Sequence, residues 1–115
     1  MTFLEELKSV IEYLGIPVET GVFSETPPDG YVVITPMSDV FGMFADNLPR
    51  YETQEARLSL FKKGNYITLK NQLTAALLIA DFTITDRTYV GHEDDTGFHH
   101  YAVDVLKVYS VGEIN

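Results

Sequence analysis

Between Tyr89 and Val105 the chain reads YVGHEDDTGFHHYAVDV, which sets His92, His99 and His100 among Glu93, Asp94 and Asp95. Imidazoles and carboxylates at that density could hold a divalent metal or move protons, because both chemistries need several such groups converging on one point. The spacing argues against it. There is no H-E-x-x-H, no calcium loop with its acid, Gly and distant Glu in order, and no H-x3-H on a helix. On a strand, His99 shares a face with Tyr101, Val103 and Val105, and His100 shares the other with Ala102 and Asp104, so the two neighbours serve one site only through a bulge. His100 and Asp104 stand about 13 Å apart along such a strand, beyond direct contact. A hairpin could still carry His92 across to His99. The stretch is expected to be a polar hairpin tip, with Glu93, Asp94 and Asp95 in solvent and Gly91 and Gly97 supplying the turn dihedrals.

Other chemistries have less to stand on. The chain carries no G-x-S-x-G elbow, no P-loop and no G-x-G-x-x-G after a strand. With 17 acids, carboxylate pairs can be drawn anywhere and mean nothing. No cysteine is present, which excludes disulfides, thiolate zinc sites and thiol nucleophiles. No catalytic, cofactor-binding or metal-ligating residue is assigned, and the chain reads as a protein that is not an enzyme.

The elements around this stretch follow from periodicity. TFLEELKSVIEYLG places Leu4, Leu7, Val10, Ile11 and Leu14 on one helical stripe, with Thr2 and Glu5 at capping-box spacing and Gly15 as a stop. IPVETGVF is strand-like, SETPPDG is turn-rich, and Tyr31 to Thr35 is a β-branched strand that Pro36 is expected to cut short. From SDVFGMFADNLPR periodicity is lost while Val40, Phe41, Met43, Phe44 and Leu48 stay apolar, so an irregular loop docking on its own domain or on another chain is expected. YETQEARLSLFKKG alternates Ala56, Leu58 and Leu60 against Arg57, Ser59 and Phe61, a long strand. Asn65 caps a second helix with a stripe from Tyr66 to Ala80, and FTITDRTYV pairs with FHHYAVDVLKVY as a hairpin. The tail SVGEIN is expected to fray or dock on a neighbour. The expected fold class is α+β: two helices packed on one antiparallel sheet, in the order helix, strands, helix, hairpin, as a single domain over residues 1–115.

Charge and hydropathy narrow the partners. The opening MTFLEEL carries acids where an export leader needs positive charge, and no run approaches the ~20 apolar residues of a membrane span, so a soluble, unexported protein is expected. A net charge of −9 opposes duplex nucleic acid, whose binding depends on Lys and Arg displacing counterions, and no sequence-specific nucleic-acid contact is expected. Residues 50–70 hold five cations against Glu52 and Glu55, a local +3 that leaves −12 on the remainder. Opposite patches on one body favour ordered self-association or a charged protein partner.

RLSLFKKGNYITLKNQLTAALLIADFTITDRTYVG together with EDDTGFHHYAVDV resembles small neck and tail proteins of long-tailed phages and prophages of Gram-positive bacteria, in particular the tail terminator, or tail completion, group. The resemblance is best over residues 51–109 and carries no catalytic signature. It implies a structural protein without cofactor, forming a ring-like homo-oligomer, typically a hexamer, at the head-proximal end of the tail tube. Its partners would be the major tail protein and the head connector or stopper, and its place the host cytoplasm during assembly and then the virion neck. No family motif assigns a contact, so the candidate oligomer contacts come from physical inference alone: Phe41, Met43, Phe44, Arg57, Lys62 and Lys63. Another small head-tail joining protein would read similarly. An acidic immunity or inhibitor protein is the other class, disfavoured by the basic segment.

Overall fold

The computed structural model describes residues 1–22, 26–45 and 48–111, without the side chains of 43–45. Two helices, α1 (Phe3–Tyr13) and α2 (Tyr66–Ile79), flank a five-stranded sheet made of β1 (Val18–Thr20), β2 (Gly30–Ala45), β3 (Leu48–Lys63), β4 (Thr83–His92) and β5 (Phe98–Ser110). The spatial order is β1-β2-β3-β5-β4. This corrects the expectation of two helices on one antiparallel sheet in helix, strands, helix, hairpin order. The sheet is mixed, because β1 runs parallel to β2 with Val18 against Val32, and strands dominate while the helices are flanks. Side-chain alternation carries no information about strand direction, and the turn chemistry of SETPPDG suits a chain that loops back as well as one that reverses.

The second correction concerns residues 36–50. Pro36 does not end the strand, and the expected apolar loop is the continuation of β2 and the start of β3, paired from Ser38↔Glu55 through Gly42↔Tyr51 to Ala45↔Leu48. β1 covers β2 only from Val32 to Ile34, and β5 covers β3 only from Tyr51 onward, so Pro36 and Pro49 both stand where a strand has a free edge and a missing N–H costs no ladder bond. A bulge between Pro36 and Ser38 absorbs the ring and resets the pleat. The outcome is an arm in which β5 still flanks β3 as far as Tyr51↔Ser110 and only the tip beyond, residues 43–50, is two-stranded, and the molecule measures 55 × 26 × 23 Å. The tail residues 112–115 lie outside the described residues.

One face of the sheet is buried under the helices. Val32, Ile34, Ala56, Leu58, Leu60, Val103 and Val105 meet Leu7 and Ile11 of α1 and Leu73 and Leu77 of α2, all at or near zero exposure. α1 starts at the anticipated capping box, in which Thr2 Oγ1 accepts from the Glu5 amide and Glu5 Oε1 accepts from the Thr2 amide. These bonds hold the Glu5 carboxyl below its ordinary range. The side chain of Asn65 caps α2 at the Ile67 amide. A polar clasp ties the layers together: Tyr109 Oη and Lys107 Nζ both donate to Glu6 Oε2, at 2.9 and 3.2 Å, and Lys107 also reaches the Ala80 carbonyl. Burial, followed by the Glu6 bond and charge, pushes the Tyr109 phenol above its ordinary range. Among the described residues no helix is long and apolar enough to cross a membrane.

Candidate functional site

The histidine stretch resolves into two separate environments. β4 and β5 pair with His92 opposite His99, whose rings lie 4.6 Å apart on the helix side of the sheet. His99 Nδ1 is 2.9 Å from Tyr89 Oη and its ring lies against Tyr66 of α2, while His92 Nδ1 is 2.9 Å from Asp94 Oδ1. Each imidazole already has a partner that fixes it. His100 points to the opposite face, stacked on Phe61 at 4.3 Å. Desolvation lowers its pKa, and Arg57 adds to the effect against the opposing pull of Glu93. Among the described residues no group of three or more His, Cys, Asp or Glu is placed to hold a metal ion. The arrangement orders a sheet and a hairpin tip.

The open face of the sheet is aromatic and paired within itself. Tyr31 stacks on Phe61 at 4.9 Å and Phe98 meets Tyr31 edge-on at 5.5 Å. Arg57 donates through Nε and Nη2 to both carboxylate oxygens of Asp104, at 2.8 and 3.0 Å, the fork geometry a guanidinium is built for. Lys63 lies 4.9 Å from the Phe98 ring centre and 3.8 Å from Asp29.

The six candidate contact residues therefore do not form one patch. Arg57 and Lys63 are on the open face, Lys62 lies beside Gly30 and Leu69 toward the helix side, and Lys70 sits over Tyr101 on α2. Phe41 belongs to the arm and is 54% exposed. It pairs with Glu52, ten residues and about 33 Å along β3 from Lys62. Met43 and Phe44 continue the β2 backbone, and their side chains lie outside the described residues. The basic segment that looked like one patch is strung along a strand, with alternate side chains on opposite faces and Arg57 already neutralised by Asp104.

What the structure adds is the arm itself. Val40, Phe41, Leu48 and Tyr51 are exposed apolar side chains on a hairpin none of whose described side chains belongs to the core cluster. Val40, Phe41 and Leu48 were legible as an apolar stretch, but not as a strand, because Pro36, Gly42 and the bulge broke the alternation by which a strand is recognised. A second apolar feature is a groove of about 570 Å³ between the helices, lined by Val10, Tyr13, Leu14, Ala75, Ala76 and Ile79. Tyr13 and Ile79, at its rim, are more than four-fifths exposed. A comparison with protein-family models finds no match, and a comparison with curated proteins finds none either.

Proposed function

We propose that this protein is a structural subunit of a phage or prophage tail, a tail terminator that assembles as a homo-oligomeric ring at the head-proximal end of the tail tube and joins it to the head connector. The observation that carries the reading is the arm: a small body spends two long strand ends, with Val40, Phe41, Leu48 and Tyr51 exposed, on a feature whose described side chains lie outside its core cluster. Apolar side chains on a protruding hairpin cost solubility in an isolated subunit and become useful when a neighbour covers them. The sequence resemblance over residues 51–109 supplies the role. Phe41, with Met43 and Phe44 following it in β2, is the proposed neighbour contact on the arm, and Lys62 and Lys63 belong to the far end of β3, whose other end forms the arm, so a head-to-tail contact has two distinct ends available.

Light scattering coupled to gel filtration tests this directly. The expected result is a mass several times the 12.9 kDa subunit, at high concentration or after addition of the major tail protein, with closed rings in negative-stain images. A single subunit mass under both conditions overturns the proposal.

A further inference from the structure

The sheet ends in two edges that the subunit leaves open. β1 pairs only with Val32 to Ile34 of β2, and β4 pairs only with β5, so among the described residues no strand lies on the outer edge of β2 from Ser38 to Ala45 or on the outer edge of β4. Such an edge offers a row of unpaired amides and carbonyls, and its natural ligand is another extended strand.

We infer that the arm edge of β2 in one copy pairs with the β4 edge of a second copy, so that the sheet runs on from subunit to subunit. This deepens the ring reading and rests on its self-assembly. Strand direction is the first argument. β2 opposes β3, β3 opposes β5 and β5 opposes β4, so β2 and β4 of one copy run in opposite directions. Copies held in one orientation, as around a ring, therefore meet β2 to β4 antiparallel, the commoner and slightly more stable pairing.

Level is the second argument. Ser38 faces Glu55, Glu55 faces Leu106, and Leu106 faces Thr83, so the arm begins at the level where β4 starts and extends away from it. From Ser38 to Ala45 the arm runs about 23 Å at ~3.3 Å per residue, and because β4 of the next copy takes the column that β1 occupies lower on β2, the repeat is four strands, about 19 Å at ~4.8 Å. For β4 of the next copy to lie on the arm with Thr88 beside Val40, that copy slides by the distance from Ser59 to Thr53, about 20 Å, for each four-strand repeat, which inclines the strands about 45° to the ring axis. Closed sheets tilt by about 35–45°, so the offset is one a ring can close with. With no offset, the neighbour's β4 would collide with β1 instead.

Side chains are the third argument. The arm offers Val40 and Phe41 to solvent, and β4 offers Tyr89 and Val90. Bulges between Ile84 and Asp86 and between Tyr89 and Gly91 leave Asp86 to Tyr89 as the regular stretch of β4 that can pair.

The natural absence of cysteine makes the test clean. Val40, opposite Thr53, and Asp86 and Thr88, opposite Asp104 and Ala102, all project on the open face, so Val40→Cys combined with Thr88→Cys or with Asp86→Cys samples two registers of the contact. Under mild oxidation at least one double variant should give a ladder of covalent multiples on a non-reducing gel. An equal mixture of the two single variants should stop at dimers, and each single alone should stay monomeric, with folding checked by circular dichroism. Dimers from Val40→Cys alone would mean arm-to-arm pairing about a two-fold and overturn the inference. Rings by light scattering with no cross-link in either double overturn it while leaving the ring reading standing. Cross-linked open filaments keep the edge contact and remove the ring, and no association with or without the tail protein overturns both.

Discussion

His100 shows how far a single residue can be read. Its opposite placement from His99 follows from the two-residue period of a strand and was legible in the sequence. Its consequence was not, because that depends on Phe61, a partner across the register. The His100 Nε2 is buried with no hydrogen-bond partner, and desolvation lowers the pKa of the ring below the ordinary imidazole value of 6.5. The folded protein therefore binds this proton less readily than the unfolded chain. Stability rises with pH across the window below the ordinary imidazole value, is fully present above it, and is lost as acid protonates the unfolded state first. His100→Phe keeps a flat ring on Phe61 and removes the titration. In urea unfolding series from pH 7.5 to about pH 5, the variant is expected to gain on the wild type progressively as the pH falls, the carboxylates common to both cancelling in the difference. Parallel curves would show that the ring titrates alike in both states. Arg57 teaches the same lesson: as a cation it suggested an intermolecular contact, yet its partner is Asp104, 47 residues away in sequence and brought opposite by the β3–β5 register.

At the level of elements, both helices were legible because their signals are local: a capping box at Thr2 and Glu5, an Asn cap at Asn65, and stripes that end in the buried Leu7, Ile11, Leu73 and Leu77. The arm and the parallel β1 were not legible, because each depends on which edge of which strand is free. A proline is a strand breaker only where its N–H is needed, and Pro36 and Pro49 stand where it is not. The arm should therefore be separable from the body. None of the described side chains from 42 to 51 belongs to the core cluster, and Phe41 faces Glu52 directly, so replacing residues 42–51 with Asn-Gly joins a paired position by a two-residue turn of the favoured type. The shortened protein is expected to unfold within about 1 kcal/mol of the wild type, as surface changes away from a core do. Its self-association should weaken at least tenfold by sedimentation velocity. A shortened chain that assembles like the parent would remove the arm from the contact; one that fails to fold would make the arm part of the body.

The whole molecule combines a −9 charge with a proposed contact built from backbone hydrogen bonds and apolar side chains. These two terms respond oppositely to salt. Copies that each carry an excess of acid repel over a Debye length of about 10 Å at 0.1 M ionic strength, and that repulsion is screened as salt rises. The proposed edge-to-edge contact itself brings few charges together: Asp39 on the β2 edge of the arm, Asp86 and Arg87 on β4. The split between a basic segment and an acidic remainder, legible in composition, suggested the reverse, a contact made of opposite patches that salt would dissolve. In the fold Arg57 is satisfied by Asp104, and Lys63 stands over Phe98 within 4 Å of Asp29, so two of that segment's five cations are already engaged within the subunit. Raising sodium chloride from 50 to 500 mM is accordingly expected to strengthen self-association several-fold in sedimentation velocity. Association that weakens over the same range would mean that ion pairs hold the copies together. Such a result would move the contact from the sheet edges to Lys62, Lys63 and the acids of a neighbour, and a binding partner lost in the same way would favour an acidic inhibitor over a ring.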